Sequence, residues 1–137
     1  MSGSIHHLDL TVRHPQASRG FYAAVLGFMG YLEVADHDRG FDYDLRTDDG
    51  FCSIGIMQAQ GPNAERTHDR YSPGLHHVAW RADSRADVDA MHEMLQRIGA
   101  TILDAPADYP QYGPGYYAVF FADPDGLKLE YVFKPER

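Results

Sequence analysis

Eight histidines in a chain of 137 residues raise the question of where imidazoles could meet. Two adjacent pairs, His6-His7 and His76-His77, lie 70 positions apart, each inside a run of alternating character. Alternation of period two marks a half-buried strand, whose successive side chains point to opposite faces. Each pair can therefore offer one ring to a given face. Leu8, Leu10 and Val12 form the core side of the first run, which assigns His7, Asp9 and Thr11 to the far side and His6 to the core side. The same parity groups His76 with Val78 and Trp80, and His77 with Ala79 and Arg81. In the run 127–133, Leu129, Tyr131 and Phe133 form the core set and leave Glu130 on the far face. A carboxylate there is costly to bury without a cation or donors. Two imidazoles and a carboxylate on one concave surface match a 2-His-1-carboxylate metal site with open positions, so His7, His77 and Glu130 are the expected metal ligands. His6, His14, His37, His68, His76 and His92 read as surface or hydrogen-bonded residues, and Cys52 as a small strand residue without chemistry.

Such a site needs scaffolds of matching shape, and the chain repeats one. After the strand at 5–13, Pro15 takes a first helical position and Phe21, Val25 and Phe28 recur at helical spacing. Strands follow at about 31–36, 42–47 and 51–57, the last two joined by a hairpin at Asp48-Asp49-Gly50. Residues 58–74 show no periodicity and read as a linker. The second half starts with a strand at 75–82, then Ser84 as N-cap with Asp87 as its capping-box partner. Val88, Met91, Leu95 and Ile98 make a helical stripe that Gly99 ends. Strands are expected at about 100–105, 115–122 and 127–133, with a proline- and tyrosine-rich loop at 106–115 and a turn at Asp123-Pro124-Asp125-Gly126. The expectation is an α+β fold, one domain over 1–137 made of two βαβββ modules at about 5–57 and 75–133. Neither four-stranded sheet could bury both faces alone, so the halves should pair.

Composition narrows the partners. Twelve Lys and Arg against twenty Asp and Glu leave a formal charge of −8, which repels phosphate backbones and anionic membranes, so no nucleic-acid partner is expected. The longest apolar run, seven residues from Tyr116 to Ala122, is far short of a membrane span. One cysteine excludes an internal disulfide and any multi-cysteine zinc site. Met-Ser-Gly-Ser at the start has neither a charged nor an apolar leader character, so a cytoplasmic location is expected.

With these residues in place, the sequence resembles the vicinal oxygen chelate superfamily, which includes glyoxalase I, extradiol dioxygenases, methylmalonyl-CoA epimerase, fosfomycin-resistance transferases and bleomycin-resistance proteins. The resemblance is carried by His7 in Ile-His-His-Leu-Asp-Leu-Thr-Val, by Phe21-Tyr22-Ala23-Ala24-Val25-Leu26-Gly27-Phe28, by His77 in Gly-Leu-His-His-Val-Ala-Trp, and by Phe-Phe-Ala-Asp-Pro-Asp-Gly-Leu-Lys-Leu-Glu ending at Glu130. It implies mixed sheets forming a cupped cleft with helices outside. It also implies a divalent metal ion (Fe, Mn, Ni, Co or Zn) that polarises a small molecule carrying two vicinal oxygens, in a lyase, isomerase or dioxygenase reaction. Glyoxalase I-like members carry a fourth ligand, a Glu, where this chain has Gly55. Extradiol dioxygenases add a His and a Tyr at places held here by Gln111, Tyr112 or Gly113, and by Phe120. Bleomycin-resistance-like binders usually lack the three ligands kept here. Candidate acid–base or supporting groups are Asp9, Arg81 and Tyr116, while Phe51, Tyr112 and Phe120 are candidate substrate-pocket walls. The competing expectation is a non-catalytic protein that sequesters an antibiotic or metabolite on those aromatic rings. Family members commonly pair halves within or between chains, so a homodimer is expected.

Overall fold

A computed structural model describes residues 2–48 and 50–136 and divides the chain into two compact units, Met1–Arg66 and Thr67–Arg137. In the first unit the elements are β1 (His7–Val12), α1 (Pro15–Phe28), β2 (Leu32–His37), β3 (Gly40–Thr47) and β4 (Gly50–Gln58). They form a sheet of order β1-β4-β3-β2, with β1 parallel to β4 and the other pairs antiparallel. Strand alternation decides its faces. Leu10, Val12, Phe41, Tyr43, Ile54 and Ile56 are buried on the side that receives α1. The helix answers with Ser18, Tyr22, Val25 and Leu26, so Tyr22 takes the central place that the spacing assigned to Phe21. Residue Asp49 of the expected hairpin lies outside the described residues, although Thr47 and Gly50 do pair across it. The outermost strand, β2, is exposed along its whole length, and its pairing with β3 shifts register between Glu33 and Ala35.

The second unit holds β5 (Val78–Arg81), α2 (Arg85–Arg97), β6 (Thr101–Asp108), a short 3₁₀ turn (Pro110–Tyr112), β7 (Tyr117–Ala122) and β8 (Lys128–Phe133). Its sheet order, β5-β8-β7-β6, repeats the first with β5 parallel to β8. Val119, Phe121, Leu129 and Tyr131 are buried on the helix side with Val88, Met91, Met94 and Leu95 of α2. Ile98, expected in that stripe, is the exposed C-cap residue, and Met94 replaces it. Ser84 caps the helix by accepting the Asp87 N–H at 3.0 Å, while the Asp87 carboxylate accepts the Asp83 N–H at 3.1 Å, one residue earlier than a reciprocal box requires. The β7–β8 turn is tied by Asp123 Oδ1, which accepts the N–H groups of Asp125 and Leu127, both at 2.9 Å. Residues 106–108, read from sequence as loop, extend β6 through a register shift between Asp104 and Ala107. The bulge is what lets Pro106 sit there, since a proline has no N–H to give a ladder.

The α+β class and the two four-stranded mixed sheets therefore stand as expected. Among the described residues, no helix is long and apolar enough to cross a membrane.

Candidate functional site

The chemistry of the second unit centres on Glu130. Register pairs it with Ala79 on one side and Phe120 on the other, which turns its side chain away from α2. Only 2% of it is exposed. His77 Nε2 stands 3.1 Å from Glu130 Oε1, and the Tyr116 hydroxyl donates to Glu130 Oε2. His77 precedes the four-residue strand β5 and is not part of it as expected, yet its ring still reaches the face that Ala79 and Glu130 share. Behind it, His76 Nδ1 and His77 Nδ1 are 2.8 Å apart. One of two facing ring nitrogens must carry the proton. With His76 as the donor, His77 Nε2–H is free to donate to Glu130 Oε1; with His77 donating from Nδ1, its Nε2 offers a lone pair beside the carboxylate, an arrangement that a cation would bridge.

Aromatic rings enclose that carboxylate. Tyr116 meets Tyr112 at 5.4 Å and Tyr109 at 6.4 Å between ring centres, both edge-on, and Tyr109 stacks on Tyr112 at 5.8 Å. Tyr109 also presents its edge to Phe120 at 5.4 Å. The turn that brings these tyrosines together runs through Gly113 and Gly115, whose φ angles of +138° and +75° favour glycine. Burial, then the bond to Glu130, push the Tyr116 phenol well above the ordinary tyrosine value, so it is a neutral donor at neutral pH. Tyr112 is 57% exposed and Phe120 is buried, so of the two expected pocket walls in this unit Tyr112 has the free face. Arg81 points elsewhere, to Glu136 at 3.3 Å on the surface.

In the first unit, His7 opens β1 and pairs with Ser53. A cavity of about 370 Å³ is lined by His6, His7, Asp9, His37, Asp42 and Phe51, among others. His6 and His7 bring their Nδ1 atoms to 3.0 Å, the same contact as in the second pair, and His6 meets the edge of Phe51 at 4.9 Å. Strand parity put His6 on the core side. It precedes the strand, so alternation does not bind it, and it joins the cavity. His37, read from sequence as a surface or hydrogen-bonded residue, and Asp42, 3.6 Å from it and not singled out, also belong there. Cross-strand register alone brings Asp42 beside Gly55 and Asp9, and no local pattern carries that information.

Among the described residues, no three His, Cys, Asp or Glu side chains of either unit already surround a common point. The pair His77–Glu130 does suit a metal ion. Ligand atoms bound at about 2.1 Å and at right angles stand about 3.0 Å apart, close to the separation seen.

Comparisons with known proteins agree with this architecture. The family model of the Glyoxalase/Bleomycin resistance protein/Dioxygenase superfamily matches residues 4–131. An uncharacterised protein of Bacillus subtilis (strain 168), YqjT, is 36% identical over 128 residues, covering 93% of this chain and 97% of the relative. The crystal structure of a candidate glyoxalase from Bacillus halodurans superposes with a TM-score of 0.81 at 31% identity, over 97% of both chains. A lactoylglutathione lyase from Agrobacterium tumefaciens shares the fold, with a TM-score of 0.63 at 21% identity over 96% of this chain and 93% of that one.

Proposed function

This chain belongs to the Glyoxalase/Bleomycin resistance protein/Dioxygenase superfamily, and from that premise we propose that it is a divalent-metal-dependent enzyme acting on a small molecule with two vicinal oxygens. His77 and Glu130 supply two ligands, and His7, the repeat counterpart of His77, supplies the third, from the same chain or a second copy. The observation that carries the reading is a nearly inaccessible carboxylate whose oxygens meet an imidazole nitrogen and a phenol. Burying such a group is costly unless a cation or donors satisfy it.

The metal, from among Fe, Mn, Ni, Co and Zn, supplies Lewis-acid polarisation of the substrate oxygens. The protein's own side chains do the rest. Tyr116 holds Oε2 and leaves Oε1 toward His77, so the carboxylate offers one oxygen in a fixed direction. His76 holds the far side of the His77 ring. Phe120 keeps water from Glu130, and Tyr112 offers a planar surface to the substrate. Whether the reaction is lyase, isomerase or dioxygenase chemistry is decided by a screen of catechols, thiol adducts and antibiotics with each metal.

Metal content of purified variants tests the ligand set. His7→Ala, His77→Ala and Glu130→Gln are each expected to lose the ion, whereas His6→Ala and His76→Ala retain it. Retention in the first group would sink the assignment. The packed tyrosines favour a second reading, a binding protein that sequesters a planar ligand. Tight binding without turnover at any metal would select it. We also infer a homodimer, which sedimentation at micromolar concentration checks; a 15.4 kDa particle would count against it.

A further inference from the structure

Cations gather around Glu130 in a chain that has few of them. Lys128 and Glu130 are alternate residues of β8, paired with Ala122 and Phe120 of β7, so both side chains leave the sheet on the side away from α2. The ammonium of the half-buried Lys128 lies 4.6 Å from the centre of the Phe120 ring. Arg70 covers the Tyr71 ring at 4.8 Å, and Tyr71 meets the edge of His76 at 6.0 Å. His76 in turn touches His77, the partner of Glu130. Partial desolvation first, and then the charges of His77, Lys128, Arg70 and His68, hold His76 below the ordinary histidine value. These groups share one neighbourhood, and all belong to the second unit.

What they lack is informative. The chain has 20 acidic residues for 12 Lys and Arg, and Arg19, Arg81 and Arg85 each meet a carboxylate. Among the described residues neither Lys128 nor Arg70 does; both rest on aromatic rings. Asp69, the acid next to Arg70, accepts the Tyr71 N–H at 3.0 Å and the Ser72 hydroxyl at 2.8 Å. Glu130 has its oxygens turned to His77 and Tyr116. His68 Nδ1 is buried and makes no hydrogen bond among the described residues, whereas buried polar atoms are nearly always paired. An ammonium carries three donors, and a field of several cations in an otherwise acidic protein draws anions to one place.

We propose that Lys128, with Arg70 and His68 beside it, binds an anionic group of the substrate, which makes that substrate a small organic acid carrying two vicinal oxygens. This rests on the reading that His77 and Glu130 hold a metal for those oxygens. The molecule is then fixed at two points, its oxygens at the metal and its charge at Lys128. An ammonium acts as a point charge and suits a carboxylate or a phosphate.

The probes are 3,4-dihydroxybenzoate and 3,4-dihydroxybenzamide, which share a ring and two vicinal oxygens and differ by one charge. Calorimetric titration is run on the metal-free chain and on the chain with zinc(II), which is redox-inert. The native chain is expected to bind the acid about tenfold or more tightly than the amide, the worth of one hydrogen bond to a charged group. Lys128→Met keeps the cover over Phe120 without the charge; it is expected to cut that ratio about tenfold and to change amide affinity less than about threefold. An acid preference that depends on Lys128, in either form, supports the proposal. Equal affinity for acid and amide would overturn it, and so would no binding of the acid in either form. A preference that survives Lys128→Met would also overturn it, since the carboxylate would then sit on the metal or elsewhere. Unfolding temperature checks the variant, and Lys128→Gln replaces it should it not fold. Competition by benzoate and by phenyl phosphate ranks a carboxylate against a phosphate; weaker competition from both than from neutral benzamide would overturn the proposal. Affinities unchanged by zinc(II) would instead overturn the metal reading and leave the anion site standing.

Discussion

The two sheets share strand order and helix placement but differ on the face turned away from the helix. That face of the first sheet carries Asp9, Asp42, Asp44, Ser53 and His7, and much of it is open. The same face of the second carries Ala118, Phe120, Ala122 and Glu130, all buried. The helix-side faces, by contrast, are alike: aromatic and branched apolar residues in both units. Core positions answer to packing and so repeat. The opposite face is free of that demand and has diverged, one copy toward polar, adaptable groups and the other toward a dry, pre-set anion.

The strongest way to break this comparison is through the cores. Phe41 and Phe121 are both fully buried, one in each unit, and Phe→Ala at either is expected to cost about 3–5 kcal/mol by denaturant titration. A cost well below that at one of them would show that the two cores are not equivalent.

A smaller effect separates the units by pH. Tyr131 of the second unit donates to Asp87 at 2.6 Å, whereas the matching place in the first is the apolar Ile56. Burial first, and then the Asp87 bond, raise the Tyr131 phenol above its ordinary value. The folded state therefore holds this proton more tightly than the unfolded chain does. The resulting stability is complete below the ordinary tyrosine pKa of about 10 and drains away as pH rises beyond it. Tyr131→Phe is expected to cost about 1.5 kcal/mol at pH 8 and distinctly less at pH 11. Equal costs at both pH values would contradict the linkage.

The smallest contrast lies at the helix starts. Ser84 caps α2 with its side chain, but His14 at the start of α1 makes no capping bond. Ser84→Ala should lower stability by about 1 kcal/mol, and His14→Ala by no more than a few tenths, in the same titration.

Much of this molecule is legible along the chain because it depends on neighbours in sequence. Leu8, Leu10 and Val12 reveal a face by alternation, Ser84 announces a helix three residues before Asp87, and the histidine pairs expose the repeat. Glu130 was readable by parity, being flanked by Leu129 and Tyr131. What was not legible depends on partners far away. The lean of Asp9 over Gly55 follows from β1–β4 register, and the meeting of Tyr116 with Glu130 follows from a turn set by Gly113 and Gly115. His6 defeated alternation because the strand begins one residue later, and alternation has no force outside a ladder.

The outer strand β2 has a consequence for the chain in a crowded solution. Leu32 and Val34, 70% and 56% exposed, sit on a strand at the edge of the sheet, the kind of position on which foreign strands can grow. The offset between Glu33 and Ala35 interrupts that edge, and Arg19 of α1 fastens Glu33 and Asp36 at 2.5 and 2.8 Å, keeping charge along it. Those acids act as gatekeepers against fibrous self-stacking. Stripped of them, the same six residues would become a seed.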